Sequence, residues 1–388
     1  MNLKKITLED IQKAQQRIQS IAIKTPLKPS YHLSQRVGKQ VYLKLETMQA
    51  TGAFKLRGAA NAILNLSEAH RKQGIITMSS GNHGKAVAFV ANLLGIKAKI
   101  CVPNLVSLTK IDAIKQLGVE VIVHGDSQDE TAAYVVETSK QEGLKNISAF
   151  DDPDVIAGQG TIAIEIFEER PEIDTLLVQV SGGGLMSGIA IAAKSIKPDI
   201  KLIGVTMDRG AAMYESIKQG KIVEVKEIPS LADALQGGIP LDNQYTFNIC
   251  RKYVDEIMLV TESQIARAMS FVASSSRMTT TTLISNIFQI SQIFLPPNKA
   301  VPMPIETKTD PVIHLPVRCI PLSAFNKFLS DPLNKLIAKS MGMETTIKSM
   351  PNKKSCIEVL PLVGSINCGK KAKKKSMTLG FSKLVINP

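Results

Sequence analysis

The chain has 388 residues, 44% of them hydrophobic, 4% aromatic and none Trp, which is enough apolar mass for about two domains but little for stacking on nucleic-acid bases. The formal charge of +13 is concentrated: residues 273–388 hold 16 Lys and Arg against 5 Asp and Glu, which leaves +2 for residues 1–272. No apolar run approaches the roughly 18 residues of a membrane helix, the start "MNLKKITLED" lacks an apolar signal core, and the five cysteines lack C-x-x-C spacing, so a cytoplasmic chain with reduced thiols is expected.

In chain order, Thr7 is placed to cap a first helix, with Ile6 and Ile11 as a hydrophobic staple, and Ile11, Ala14, Ile18 and Ile21 keep helical spacing. "VYLKL" (41–45) alternates like a half-buried strand, and "FKLRGAANAILNL" (54–66) reads as a helix. Three βα units follow, with strands at "IITM" (75–78), "KAKICV" (97–102) and "VEVIVH" (119–124). A helix at 155–169 precedes strand "TLLVQV" (175–180), a glycine loop and a further helix; "KLIGVT" (201–206) and "EIMLV" (256–260) are the last strands. Such alternation predicts an α/β fold of parallel sheets covered by helices. Beyond 272 the rhythm stops. "SSSRMTTTT" is low in complexity and "KKAKKK" (370–375) is a block of like charge, so residues 273–388 read as a divergent basic tail, disordered or only locally helical.

Three stretches carry chemistry. In "LLVQVSGGGLMSGIA", Ser181, Gly182, Gly183 and Gly184 lie between a strand and a helix, where backbone N–H groups and the helix terminus suit a phosphate; the loop lacks the Lys-Ser/Thr ending of a Walker loop. "SSGNHGKA" (79–86) has the same strand-to-helix setting, and Ser79, Ser80, Asn82 and the Gly81 and Gly84 amides offer donors for a carboxylate. His83 in that stretch reads as a turn or packed histidine and is not assigned proton transfer. In "TGAFKLRGAANA" (51–62), Lys55 stands among small and apolar neighbours. A desolvated lysine has a lowered pKa and can form a Schiff base. Such a lysine with a phosphate-cradling glycine loop is the minimal kit for pyridoxal 5′-phosphate.

Together, "GAFKLRGA" (52–59), "SSGNHGKA" (79–86) and "SGGGLMSG" (181–188) resemble the threonine/serine dehydratase family of pyridoxal-phosphate enzymes of fold type II, serine racemase among them, over about residues 5–272; the look is closest to the dehydratase of hydroxyectoine utilisation. The resemblance implies a tryptophan-synthase-β-like fold of two open parallel-sheet domains, with 1–72 and 151–272 as the large cofactor-binding domain and 73–150 as the small one. It implies that Lys55 binds pyridoxal 5′-phosphate covalently and serves as catalytic base. Phe54 packs near the cofactor, Asn82 bonds its ring hydroxyl, and Ser181, Gly182, Gly183, Gly184 and Leu185 hold its phosphate. Ser79, Ser80, Gly81, Asn82 and His83 line the substrate loop. Ser80 stands at the opposite-face acid/base position of the family's racemases. Lys85 replaces a commonly seen glutamine, and "LADALQGGI" (231–239) matches the loop beside the cofactor ring more weakly.

The activity so implied is elimination of water from a β-hydroxy amino acid such as L-threonine or L-serine, giving a 2-oxo acid and ammonia. The alternatives are an amino-acid racemase, a hydroxyectoine-pathway dehydratase, or a catalytically dead relative whose C-terminal half is truncated or frameshifted. Partners are a small amino-acid substrate, with no membrane and no metal; nucleic acid is not expected, although "KKAKKK" leaves binding to nucleic acid or acidic surfaces as a rival, and a homodimer is admitted. The family's closing glycine-rich segment and Ser-Gly-Gly-Asn-like strand end are not recognisable beyond 272, which raises reading out of frame as an expectation for the tail.

Overall fold

A computed structural model describes residues 3–275, 343–348, 356–361 and 385–386. In chain order the elements are α1 (Leu8–Ile18), β1 (Leu27–Pro29), α2 (Tyr31–Val37), β2 (Tyr42–Lys44), α3 (Lys55–Leu64), α4 (Glu68–Gln73), β3 (Ile75–Met78), α5 (Asn82–Leu93), β4 (Ala98–Val102), α6 (Leu108–Lys115), β5 (Glu120–Val123), α7 (Gln128–Glu142), β6 (Lys145–Asn146), α8 (Pro153–Glu169), β7 (Thr175–Gln179), α9 (Gly184–Ile196), β8 (Lys201–Met207), α10 (Ala212–Gln219), α11 (Thr246–Tyr253), β9 (Glu256–Val260) and α12 (Glu262–Ser275). Short 3-10 turns cover Glu46–Met48 and Asp233–Leu235. The chain divides into two units, residues 1–299 and 300–388.

In the first unit, two parallel sheets are built from the βα repeats. One has the order β5-β4-β3-β6 and the other β7-β8-β9. A small antiparallel pair, β1 with β2, stands apart from both. The helix starts follow local chemistry. Thr7 and Asp10 form a reciprocal capping box on α1, and Ile6 and Ile11 share one core cluster. Asp152 accepts from the Asp154 and Val155 N–H groups at 2.8 and 2.9 Å and, with Pro153 behind it, starts α8.

Each sheet has its own apolar core. Ile75, Ile100, Val87 and Val90 lie in one, and Val178, Leu202, Met186 and Ile189 in the other. Helix α3 joins them. Its Leu56, Ala59 and Ile63 belong to the core of the β3–β4 sheet, while its other side packs on α8. That second contact is backbone on backbone. A Cβ at Gly158 would lie 2.5 Å from the Arg57 carbonyl oxygen, and one at Gly188 would lie 2.2 Å from that of Ile156, so no side chain can stand between α3, α8 and α9. The space left at this junction holds a buried charge cluster. Arg57, 1% exposed, donates to both oxygens of Glu46 at 2.8 Å and to both of Glu165 at 2.6 and 2.9 Å; Lys44 also donates to Glu165 at 2.5 Å. Buried charges persist only when paired this completely. The register of α3, and with it the place of Lys55, is fixed on both sides.

The second unit contributes three antiparallel strands, β10 (Met343–Lys348), β11 (Cys356–Pro361) and β12 (Val385–Ile386), in that order. These segments of the tail are extended, where disorder or local helix was expected from composition. The rest of that expectation, including the "KKAKKK" block and Cys368, lies outside the described residues.

Candidate active site

Lys55 is the first residue of α3, reached from a turn in which Gly52 has φ 75°. The residue as a whole is half-buried, but its amine end is enclosed, and burial lowers its pKa to about 8. The amine donates to the carbonyl oxygen of Ala149 at 2.6 Å and stands 5.5 Å from the centre of the Phe54 ring.

The "SSGNHGKA" stretch follows β3 and opens α5, with Gly81 as N-cap. Ser79 Oγ accepts from the Gly81 N–H at 3.3 Å, and no protein group among the described residues engages the Ser80 hydroxyl. A Cβ placed on Gly81 would meet nothing within 4 Å, so this loop borders open space. Asn82 begins the helix and is half-buried. His83 is 3% exposed, and its Nε2 lies 3.0 Å from the Ile147 carbonyl oxygen. That oxygen can only accept, so the proton sits on Nε2, and Nδ1 is a buried acceptor with no partner among the described residues. Burial, then the charge of Lys55, push the imidazole pKa down to about 3, against the opposing hydrogen bond to Ile147. His83 is therefore neutral at physiological pH and near enough to Lys55 to sense its charge.

The glycine loop follows β7 and opens α9. Gly183, with φ 86°, is the N-cap in a left-handed conformation. The first bond of the helix runs from the Ser187 N–H to the Gly183 carbonyl at 2.8 Å. The amides of Gly183, Gly184, Leu185 and Met186 precede it and have no helical acceptor. Ser181 is half-buried, and Leu185 and Met186 enter the large core.

A five-residue segment that sequence reasoning passed over, Ile147–Asp151, ties the motifs together. Ile147 receives His83 and the Thr77 hydroxyl, the latter at 2.7 Å. Ala149 receives Lys55. The Phe150 ring lies under the glycine loop: a Cβ on Gly182 would stand 2.6–2.8 Å from it, and one on Gly184 would stand 2.8 Å from Phe150 Cα and Cβ. The Asp151 carboxylate accepts the N–H groups of Gln244, Tyr245 and Thr246 at 2.7, 2.9 and 3.0 Å and so anchors the start of α11. Thr246 and Cys250 on α11 back Gly183 in turn. The only sequence signal was the "FDDP" run, which reads as a helix start through Asp152 and Pro153 and says nothing of the preceding carbonyls.

The cofactor expected from the sequence has an aldehyde and a phosphate. An enclosed amine with a lowered pKa matches the first. A set of unbonded amides at a helix N-terminus matches the second, in a loop that accepts only glycine against Phe150. These residues fit the group. Gly237 (φ 116°) and Gly238, in the weaker "LADALQGGI" match, also border open space, since a Cβ on either meets nothing within 4 Å.

The profile of the family described as "Pyridoxal-phosphate dependent enzyme" matches residues 18–282. A Sinorhizobium fredii relative is 47% identical over 68% of this chain and 80% of its own length. The L-threonine ammonia-lyase of Thermotoga maritima is 41% identical over 70% of this chain and 67% of its own. Among solved structures, processed threonine deaminase isoform 2 of Solanum lycopersicum superposes with a TM-score of 0.66 at 34% identity, covering 75% of this chain and 83% of that one. Maize serine racemase gives a TM-score of 0.65 at 34% identity, covering 69% and 82%. Among the described residues no helix is long and apolar enough to cross a membrane.

Proposed function

This chain belongs to the pyridoxal-phosphate dependent enzyme family, and from that premise we propose that it eliminates water from a small β-hydroxy amino acid, L-threonine or L-serine, to give a 2-oxo acid and ammonia. The observation that carries this reading is the enclosed Lys55 amine beside Ala149, whose neighbour Phe150 supports the glycine loop.

Pyridoxal phosphate, when bound, supplies an electron sink that stabilises negative charge at the substrate Cα. Lys55 would hold it through its amine, the amides of Gly182, Gly183, Gly184 and Leu185 would hold its phosphate beside Ser181, and Asn82 and Phe54 would border its ring. The chain's own residues then have separate tasks. The loop Ser79–Ser80–Gly81, with Asn82 and His83 behind it, binds the substrate carboxylate through hydroxyl and amide donors. Lys55 would take the substrate Cα proton on its amine. A pKa near 8 leaves a useful fraction of that amine neutral at physiological pH, where an ordinary lysine would be almost wholly protonated. The Ala149 carbonyl steadies the amine after it has gained the proton.

Replacing Lys55 by Ala is expected to abolish both the visible absorbance of the bound cofactor and the release of ammonia from L-threonine and L-serine. Retained turnover in that variant overturns the assignment. A second reading, racemisation, is favoured by one observation: the Ser80 hydroxyl has no partner among the described residues and remains available as an acid. Ser80→Ala should remove any inversion of serine while leaving cofactor absorbance unchanged, and chiral chromatography of the products measures it.

A further inference from the structure

The segment Ile147–Asp151 touches Lys55, His83 and the glycine loop, and is itself pinned at both ends. Thr77 and His83 hold Ile147, and the three amides at 244–246 hold Asp151. Ser148 Oγ accepts from the Phe150 and Asp151 N–H groups at 3.4 and 3.1 Å, which closes the turn between those ends. A displacement of Phe150 must move the adjoining Ala149 carbonyl, because the two share a peptide unit.

The contacts of those two neighbours differ in kind. The Ala149 oxygen accepts the Lys55 amine at 2.6 Å. The Phe150 ring fills the space beneath Gly182, and the Cα, Cβ and carbonyl oxygen of the same residue fill that beneath Gly184; no other described group stands closer to the positions those Cβ atoms would take. Among the described contacts none joins the lysine directly to the phosphate cradle. They meet through one peptide link.

The geometry points to Phe150 as a positioning residue that couples the amine of Lys55 to the glycine loop: the ring sets the height of the loop, and the carbonyl joined to it sets the rest position of the amine. A phosphate group settling on the loop would thereby also hold the acceptor that steadies the lysine. This rests on the reading of Lys55 as the cofactor lysine. Other ionisable groups on the surrounding elements are engaged elsewhere. Asp151 is taken by three amides, Asp152 by two at the start of α8, Arg57 by Glu46 and Glu165, and His83 on α5 is neutral. The Ala149 carbonyl is the acceptor that the Lys55 amine has among the described residues.

The test uses the full chain and two probes. Pyridoxal lacks the phosphate and reports the amine alone: the neutral Lys55 nitrogen condenses with the aldehyde carbon, water leaves, and the proton shed by the ammonium goes to solvent. Its capture rate against pH has a midpoint at the lysine pKa, near 8 in the parent protein. Pyridoxal phosphate reports the loop through its dissociation constant. In Phe150→Ala the displaced carbonyl no longer steadies the ammonium, so the midpoint should fall by about one pH unit. The dissociation constant should rise about tenfold in the same variant. Phe150→Leu, which keeps most of the volume, should move both quantities the same way by less, and it serves where the alanine variant does not fold. Ile200→Ala, a truncation deep in the core of the β7–β8 sheet, should lower the melting temperature and move neither. A folded Phe150→Leu protein with both quantities at parental values, or with only one changed, overturns the coupling. Failure of the parent protein to capture pyridoxal, or capture that persists in Lys55→Ala, overturns the cofactor reading instead.

Discussion

Two loops of this molecule have the same address and opposite construction. Both leave the carboxyl end of a parallel strand and open a helix, at 79–82 after β3 and at 180–184 after β7. In the first, the N-cap glycine Gly81 faces open space and has an ordinary negative φ of −117°. Its serines carry the polar groups. In the second, Gly182, Gly183 and Gly184 are crowded from the protein side by Phe150, Met213 and Thr246, and the polar groups are main-chain amides. A loop of side-chain donors can be retuned one residue at a time. A loop of amides offers one rigid cradle, supported from beneath. The first suits the part of a ligand that varies between substrates, and the second suits a part that never changes.

Substitutions can break this contrast. The largest effect is expected on the crowded side. Gly184→Ala drives a methyl into the main chain of Phe150, which should cost about 3 kcal/mol of stability and lower cofactor retention with it, as read by thermal melts and absorbance. On the open side, Gly81→Ala should leave stability within about 0.5 kcal/mol of the parent. It should nevertheless raise KM for the amino acid about tenfold with cofactor absorbance intact. Equal destabilisation by the two alanines would erase the distinction.

The smallest effect concerns His83, behind the open loop. Its folded pKa of about 3 lies below the ordinary 6.5, so the unfolded chain binds a proton that the folded chain refuses, and this residue makes stability fall as pH drops from 6.5 toward 3. His83→Gln lacks that loss. Its stability relative to the parent should therefore improve by roughly 1 kcal/mol between pH 7 and 5.5 in urea titrations. Parallel curves would place the imidazole in contact with solvent.

Much of this was legible before any coordinates. The β3 strand was placed at its observed residues, and β7, β8 and the start of α3 to within one, because short apolar runs bounded by Gly, Asp or Lys punctuate clearly. Two of the three motif loops, at 79–82 and 180–184, fell at strand ends for the same reason. Strand order was not legible, since periodicity says nothing about which strands pair. Strand β6, two residues long in "GLKNIS", was missed because Lys145 and Asn146 carry no strand pattern and its pairing with β3 decides it. The Ala149 carbonyl could not be foreseen either: main-chain acceptors are the same at every residue, and only the fold selects one. Arg57, two positions after Lys55, carries no sign of burial in the sequence; Glu46 and Glu165, distant in sequence, allow it to be buried.

That last partnership sets a timetable for synthesis. Arg57 waits for Glu165, 108 residues further along the chain, and α3 likewise waits for α8 to cover its second face. At typical ribosomal speeds of about 5–20 residues per second, the interval is roughly 5–20 s. Through it the nascent polypeptide carries an alanine-rich helix with one apolar flank uncovered and an unpaired guanidinium beside it. The half-made chain has an incentive to be held by a chaperone, and the lysine on which the chemistry depends reaches its station only when the second half of the fold arrives.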